Sequence, residues 1–237
     1  MKGVVLAGGT GSRLYPITLG SSKQLLPVYD KPMIYYPISN LMLAGISEIC
    51  IIVASKELQN YVNLLGDGSQ FGVKFYYRVQ DHPNGIAEAL ILAADIIGKD
   101  QVCLILGDNF FYGQGLSEKL KKSKEQIEKF GGAKIIGKIV KYPKQFGVVE
   151  YDDELNVLGL EEKPIKPKSN CAVTGMYFYD NNSIELVKGL RPSSRNELEI
   201  TDLNKIYLKE NKLTLDILGR GFTWVDTGTI DDLMAAS

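Results

Sequence analysis

MKGVVLAGGTGSRLYPITLGSSKQLLP, residues 1–27, decides how the rest of the chain is read. Gly3 to Leu6 has the composition of a short buried strand, and it empties into AGGTGSRL, residues 7–14, where Gly8, Gly9 and Gly11 surround Thr10. A strand opening into a glycine-dense loop lets backbone N–H groups approach an anion, because glycine has no Cβ and takes positive φ. Arg13 and Lys23 bring a planar cationic fork and a compact point charge within reach of that loop. From these residues alone two readings stand side by side: a phosphate cradle, or an ordinary turn followed by two solvated cations. The familiar phosphate loops do not fit. There is no G-x-x-x-x-G-K-[ST], and Leu14 stands where a dinucleotide fingerprint needs its third glycine. Asp30 sits near the place of a ribose-binding acid, but Pro27 and Pro32 flank it and no second strand leads into it.

Working outward, apolar spacing predicts a helix in MIYYPISNLMLAG (33–45), a doubly covered strand in EICIIVAS (48–55), a helix in KELQNYVNLLG (56–66) and a strand in VKFYYRVQ (73–80). IAEALILAADIIG (86–98) reads as one amphipathic helix, and QVCLILGDN (101–109) as the most buried strand. Strands alternating with helices predict an α/β fold: a Rossmann-like, doubly wound, mainly parallel sheet with helices on both faces and ligands beyond the carboxyl ends of the strands. The second half differs. After a charged helix from Ser117 to Phe130 and the strand AKIIGKIV (133–140), FGVVEYD (146–152) and NVLGLEEK (156–163) alternate about DDELN and predict a hairpin. Strands follow at 171–180, 213–218 and 222–226, with helices near Ile184 to Leu190, Thr201 to Glu210 and at 230–237. With no linker or repeat, the expectation is one domain over 1–237. Its first half covers about 1–115, and its second, from about 116 to 237, carries the added hairpin.

Composition narrows the function classes. With 27 basic against 28 acidic side chains the chain lacks the basic excess of a nucleic-acid or membrane-surface binder, so an anion site must be local. Cys50, Cys103 and Cys171 have no metal-ligand spacing and read as buried free thiols. His82 is the only histidine and reads as a turn residue, which disfavours His-rich metal sites and Ser-His-Asp hydrolysis. The absence of a leader segment and of any long apolar run predicts a cytoplasmic protein with no membrane or nucleic-acid partner.

Asp108 and Asp226 each end an apolar strand. Both fit turn chemistry, Asp108 especially within Gly-Asp-Asn, but if they meet they offer the hard oxygens that Mg²⁺ prefers. Gln24 and Gln80 carry a donor and an acceptor suited to a nucleobase edge, or are merely exposed and polar. Lys163 alone would be a solvated cation, and Trp224 reads as core rather than ligand.

LAGGTGSRLYPIT (6–18), SKQLLPVYDKPMIYYPISNLMLAGI (22–46), LLGDGSQFG (64–72), LGDNFFYGQGL (106–116), EEKP (161–164), VTGMYFYDN (173–181) and RGFTWVDTGT (220–229) together resemble the sugar-phosphate nucleotidyltransferases. The resemblance implies a Mg²⁺-dependent transfer between dTTP and glucose 1-phosphate, with Asp108 and Asp226 on the metal and Arg13, Lys23 and Lys163 handling phosphate charge. It places Gly8, Gly9, Thr10, Gly11, Gln24, Gln80 and Gly85 on the nucleotide, and Asn109, Gly147, Glu162, Val173, Thr174, Gly175 and Tyr177 on the sugar. UTP in place of dTTP, and a catalytically silent nucleotide-sugar sensor, remain as alternatives. Longer members continue past the last motif for several helices that help build a second nucleotide site. For this sequence, ending at Ser237, the expectation is a homo-oligomer or a monomer, without that site.

Overall fold

The computed structural model describes residues 1–9 and 11–237. Lys2–Leu6, Glu48–Val53, Lys74–Val79 and Val102–Leu106 form the parallel part of a nine-stranded sheet, with Lys2–Leu6 between Glu48–Val53 and Val102–Leu106 and with Lys74–Val79 at one edge. Period-2 alternation explains the continuous apolar runs of the three inner strands. Val4, Cys50, Ile52, Val102 and Leu104 pack into the core on one face, while Val5, Ile49, Ile51, Val53, Cys103 and Ile105 pack into the core on the other. Helices Tyr35–Leu43, Leu58–Leu65 and Leu116–Phe130 cover the second face, and Glu88–Leu92, Asn182–Lys188 and Ile200–Lys209 the first. The doubly wound expectation is met.

The single helix expected at 86–98 is two short ones, Glu88–Leu92 and Ala94–Ile97, broken at Ala93 (φ −95°, ψ 4°). The break keeps Ala89, Leu90, Ala93 and Ile97 all buried on the sheet. The most buried strand is not Val102–Leu106, whose Leu106 is only partly covered, but Cys171–Tyr179, buried at all nine positions.

Cys171–Tyr179 is the hinge between the two halves. It runs antiparallel to Val102–Leu106 through Met176 to Tyr179, to Ala133–Ile139 along both its ends, and to Gly147–Tyr151 through Ala172. Its register slips between Val173 and Tyr177, so the sheet forks there. One prong carries the expected hairpin of Gly147–Tyr151 and Val157–Glu162; the other carries Ala133–Ile139 and its parallel neighbour Leu213–Leu218. A separate two-stranded ribbon pairs Asn109–Gly113 with Phe222–Asp226, an element not anticipated in the first half of the chain. No helix among the described residues is long and apolar enough to cross a membrane.

Candidate active site

Asp108 leaves the Val102–Leu106 strand through Gly107, where a Cβ would lie 3.0 Å from Gln24 Cγ and from the Leu6 carbonyl. The antiparallel ribbon then sets Asp226 opposite Asn109. Thr227 locks the junction, its N and Oγ1 donating to the Asp108 carbonyl at 3.2 and 3.1 Å. Two acids far apart in sequence thus become neighbours.

Their environments differ. Lys23, only 8% exposed, donates to Asp108 Oδ2 at 2.6 Å, and Asn109 Nδ2 donates to Oδ1 at 2.9 Å. Burial by itself would raise the Asp108 carboxyl, but the Lys23 charge and these hydrogen bonds hold it below the usual carboxylate range. Burial and then the Asp108 charge push Asp226 up to about 7, against the opposing pull of Lys23 and Arg13. Gly228 lets the cation and the acid approach, since a Cβ there would sit 3.2 Å from Arg13 Nη1 and 3.4 Å from Asp226 Oδ1. Two adjacent hard carboxylates, one kept proton-hungry by the other's charge, are the donor chemistry of a divalent cation. Among the described residues no third acid, His or Cys joins them, so such a cation would take its other oxygens from phosphate and water.

The pair carries a pH signature. Asp226 titrates near 7 folded against an ordinary 3.8, so the folded state holds its proton more tightly. Its stabilising contribution is complete below the unfolded value and is lost as pH rises through the folded one. In chelator, the melting temperature from about pH 5 to about pH 7 is expected to fall more steeply for the native chain than for Asp226→Asn. A divalent cation should raise it more at about pH 8 than at about pH 6. Equal slopes for native and variant chains would contradict the pairing.

A cleft of about 480 Å³ opens beside the acids. Arg13, Asp108, Asn109, Gly147, Glu162, Lys163, Val173, Gly175, Tyr177 and Asp226 line it, as expected for one site. Glu162 is fixed by Thr201 Oγ1, which donates at 2.6 Å, and Arg195 Nη2 lies 3.5 Å from its other oxygen. Lys163 takes a left-handed backbone (φ 43°), with its N–H on the Phe146 carbonyl at 3.1 Å and its side chain half exposed at the rim. Gly175 is required by Asn109, whose Cγ would lie 2.6 Å from a Cβ and whose Oδ1 accepts from Gly175 N at 3.1 Å.

A second group lies behind this cleft, around Gly8. Gln80 Oε1 is 2.9 Å from where a Gly8 Cβ would be, and Gln24 Nε2 lies 3.4 Å from the Gly8 carbonyl. Gly9 and Gly11 have positive φ (103° and 60°), as a glycine loop requires. Thr10 lies outside the described residues.

One expectation needs correction. Thr174 is fully buried and donates to the Ile136 carbonyl at 2.9 Å, so its hydroxyl is spent inside the sheet fork and is not offered to the cleft. Gly85 (φ 108°) has no room for a side chain, since a Cβ would lie 2.4 Å from the Leu198 carbonyl oxygen. Trp224 lines the cleft, donates from Nε1 to Asn109 Oδ1 at 2.6 Å and meets Phe146 edge-on at 5.1 Å. Its position two residues before Asp226 in one strand, hence on the same face, was the signal available in the sequence. Thr201 and Arg195 carried no such signal, because only the fold brings them to Glu162.

The family described as Nucleotidyl transferase matches residues 2–237, and the chain belongs to that family. Among curated relatives, a glucose-1-phosphate thymidylyltransferase of Neisseria gonorrhoeae is 56% identical over 237 residues, covering all of this chain and 81% of its own length. One of Mycobacterium tuberculosis (strain CDC 1551 / Oshkosh) is 51% identical over the same span, again 81% of its length. A crystal structure from Bacillus anthracis, provisionally assigned as a glucose-1-phosphate thymidylyltransferase in complex with a sucrose, superposes with a TM-score of 0.91 at 44% identity over 100% of this chain and 93% of that one. UDP-glucose pyrophosphorylase complexed with UDP-glucose shares the fold, with a TM-score of 0.86 at 24% identity over 99% and 96% of the two chains.

Proposed function

We propose that this chain is a nucleotidyltransferase that joins dTTP and glucose 1-phosphate to give dTDP-glucose and pyrophosphate. The observation that carries the reading is the gathering of Asp108, Asp226 and Arg13 at one end of a single cleft and of Glu162 and Lys163 elsewhere on its wall. The likeness to thymidylyltransferases over the whole of this chain and 81% of their length supports thymidine over uridine.

In this reading a phosphate oxygen of the sugar phosphate attacks the α-phosphorus of dTTP in line, the new P–O bond forms, and pyrophosphate leaves with the electrons of the old one. Two polyanions must meet, so the work is positioning and charge neutralisation. Mg²⁺ on Asp108 and Asp226 would supply Lewis-acid stabilisation of phosphate charge. Arg13 offsets charge on the triphosphate, with Lys23 behind it through Asp108; Lys163 orients the attacking phosphate; Glu162, held by Thr201, accepts sugar hydroxyls. Gly8, Gly9 and Gly11 admit the phosphates to backbone N–H groups, and Gln24 and Gln80 read the base. Asn109, Gly147, Val173, Gly175 and Tyr177 shape the sugar pocket. Residues up to about 115 handle the nucleotide and the remainder the sugar phosphate, within one domain.

The test is product identification by mass spectrometry after incubation with glucose 1-phosphate, Mg²⁺ and an equimolar mixture of dTTP and UTP. Excess dTDP-glucose is expected. Predominant UDP-glucose would overturn the choice of nucleotide, and the absence of both products would overturn the reaction.

A further inference from the structure

Gln80 follows the Lys74–Val79 strand and is only 7% exposed. Its Nε2 donates to Glu88 Oε2 at 2.7 Å and faces the Gly85 carbonyl at 3.3 Å. A carboxylate and a backbone carbonyl can only accept, so the amide nitrogen must face them and Oε1 must face away. Glu88 is itself held from the far side, where Asn84 Nδ2 donates to its Oε1 at 2.8 Å. Gln80 Oε1 is aimed at Gly8 and accepts no hydrogen bond from the described residues. Across Gly8, Gln24 has the complementary polarity. Its Oε1 accepts from Ser22 Oγ at 2.8 Å and lies 3.4 Å from the Tyr61 hydroxyl, so Nε2 is its donor end, with one N–H on the Gly8 carbonyl at 3.4 Å and a second to give.

We propose that Glu88 is a positioning residue that fixes the polarity of Gln80, and thereby makes the site demand a nucleobase with an N–H at ring position 3. The inference rests on the pyrimidine-nucleotide reading given above. Thymine presents an N–H donor next to a carbonyl acceptor, the complement of a Gln80 oxygen and a Gln24 donor that both approach Gly8. Cytosine presents a bare ring nitrogen, so two acceptors would face each other in a buried setting where an unmade hydrogen bond is costly. Sliding the base along by one group would restore a match only by dragging its ribose and triphosphate out of register with Arg13 and the two acids. A neutral amide at position 88 could offer either a donor or an acceptor, and Gln80 would then be free to turn over.

The probe is 5-methyl-dCTP, which has the shape of dTTP with the polarity reversed at ring positions 3 and 4. With glucose 1-phosphate and Mg²⁺, the native enzyme is expected to favour dTTP by at least about 100-fold in kcat/KM. In E88Q that ratio should drop at least about tenfold, mainly through a higher KM for dTTP with kcat nearly kept. N84A, which releases the far side of Glu88, should move the ratio in the same direction. Both positions are partly exposed and lie outside the main core, which leaves the fold to the sheet and its helices. A merely structural role would weaken both nucleotides together, so an unchanged ratio in the two variants overturns the assignment, as does a native enzyme indifferent between the two nucleotides. A native enzyme inactive with dTTP would instead overturn the thymidylyl reading itself.

Discussion

Replacing Asp108 by Asn is expected to lower kcat/KM by about 10²- to 10³-fold, the size of effect seen when a group stabilising transition-state charge is removed. Two losses combine. The divalent cation loses one of its two carboxylates, and Lys23, buried and 2.6 Å from Asp108 Oδ2, loses its counter-charge. Breaking one side of a buried pair costs about 3–5 kcal/mol, so Asp108→Asn should also be less stable. Asp226→Asn separates the two effects. It removes the same kind of ligand but relieves repulsion between two acids, so activity should fall comparably while metal-free stability above neutral pH is kept or raised. Native turnover in Asp108→Asn at limiting Mg²⁺ would sink the metal assignment.

The second large effect is expected at Lys163. Its side chain stands at the cleft rim with Glu162 Oε1 3.7 Å away, on the hairpin side of the site and apart from the Asp108–Lys23 pair. Lys163→Ala should raise KM for the sugar phosphate about 10- to 100-fold and leave KM for dTTP within about threefold. Initial-rate kinetics with each substrate varied in turn measures this directly. Equal losses for both substrates would contradict its placement beside the sugar phosphate.

The contrast between these residues marks where sequence reading succeeds. The parallel core was legible because three inner strands buried on both faces must be written as continuous apolar runs, and Val4/Val5, Ile51/Ile52 and Cys103/Leu104 are such neighbours, one for each face. Asp108 was legible for the same reason, since it follows such a strand directly. The closing of Asp226 onto Asp108 was not, because the ribbon that joins them pairs the short strands Asn109–Gly113 and Phe222–Asp226 and has no turn of its own between them. Thr174 was taken in with its motif, VTGMYFYDN, although strand alternation puts it on the face opposite Val173, Gly175 and Tyr177, which line the cleft. Gly85 showed a need for space but not its occupant; Leu198, arriving from the loop before Ile200–Lys209, fills it. Glu162 was found through EEKP, whereas Thr201 and Arg195, which hold it, come from a segment with no local mark of function.

The central claim is that the cleft works by positioning and charge alone, with no nucleophile from the chain. Its cysteines agree, since burial pushes the Cys50 thiol up to about 12 and the Cys171 thiol to about 11, well away from thiolate reactivity. The most direct test is rapid-quench measurement of pyrophosphate from dTTP and Mg²⁺ with enzyme in excess, with and without glucose 1-phosphate. Direct displacement predicts one pyrophosphate per dTTP when the sugar phosphate is present and none when it is withheld. A stoichiometric burst without sugar phosphate, leaving thymidylate on the chain, would contradict it.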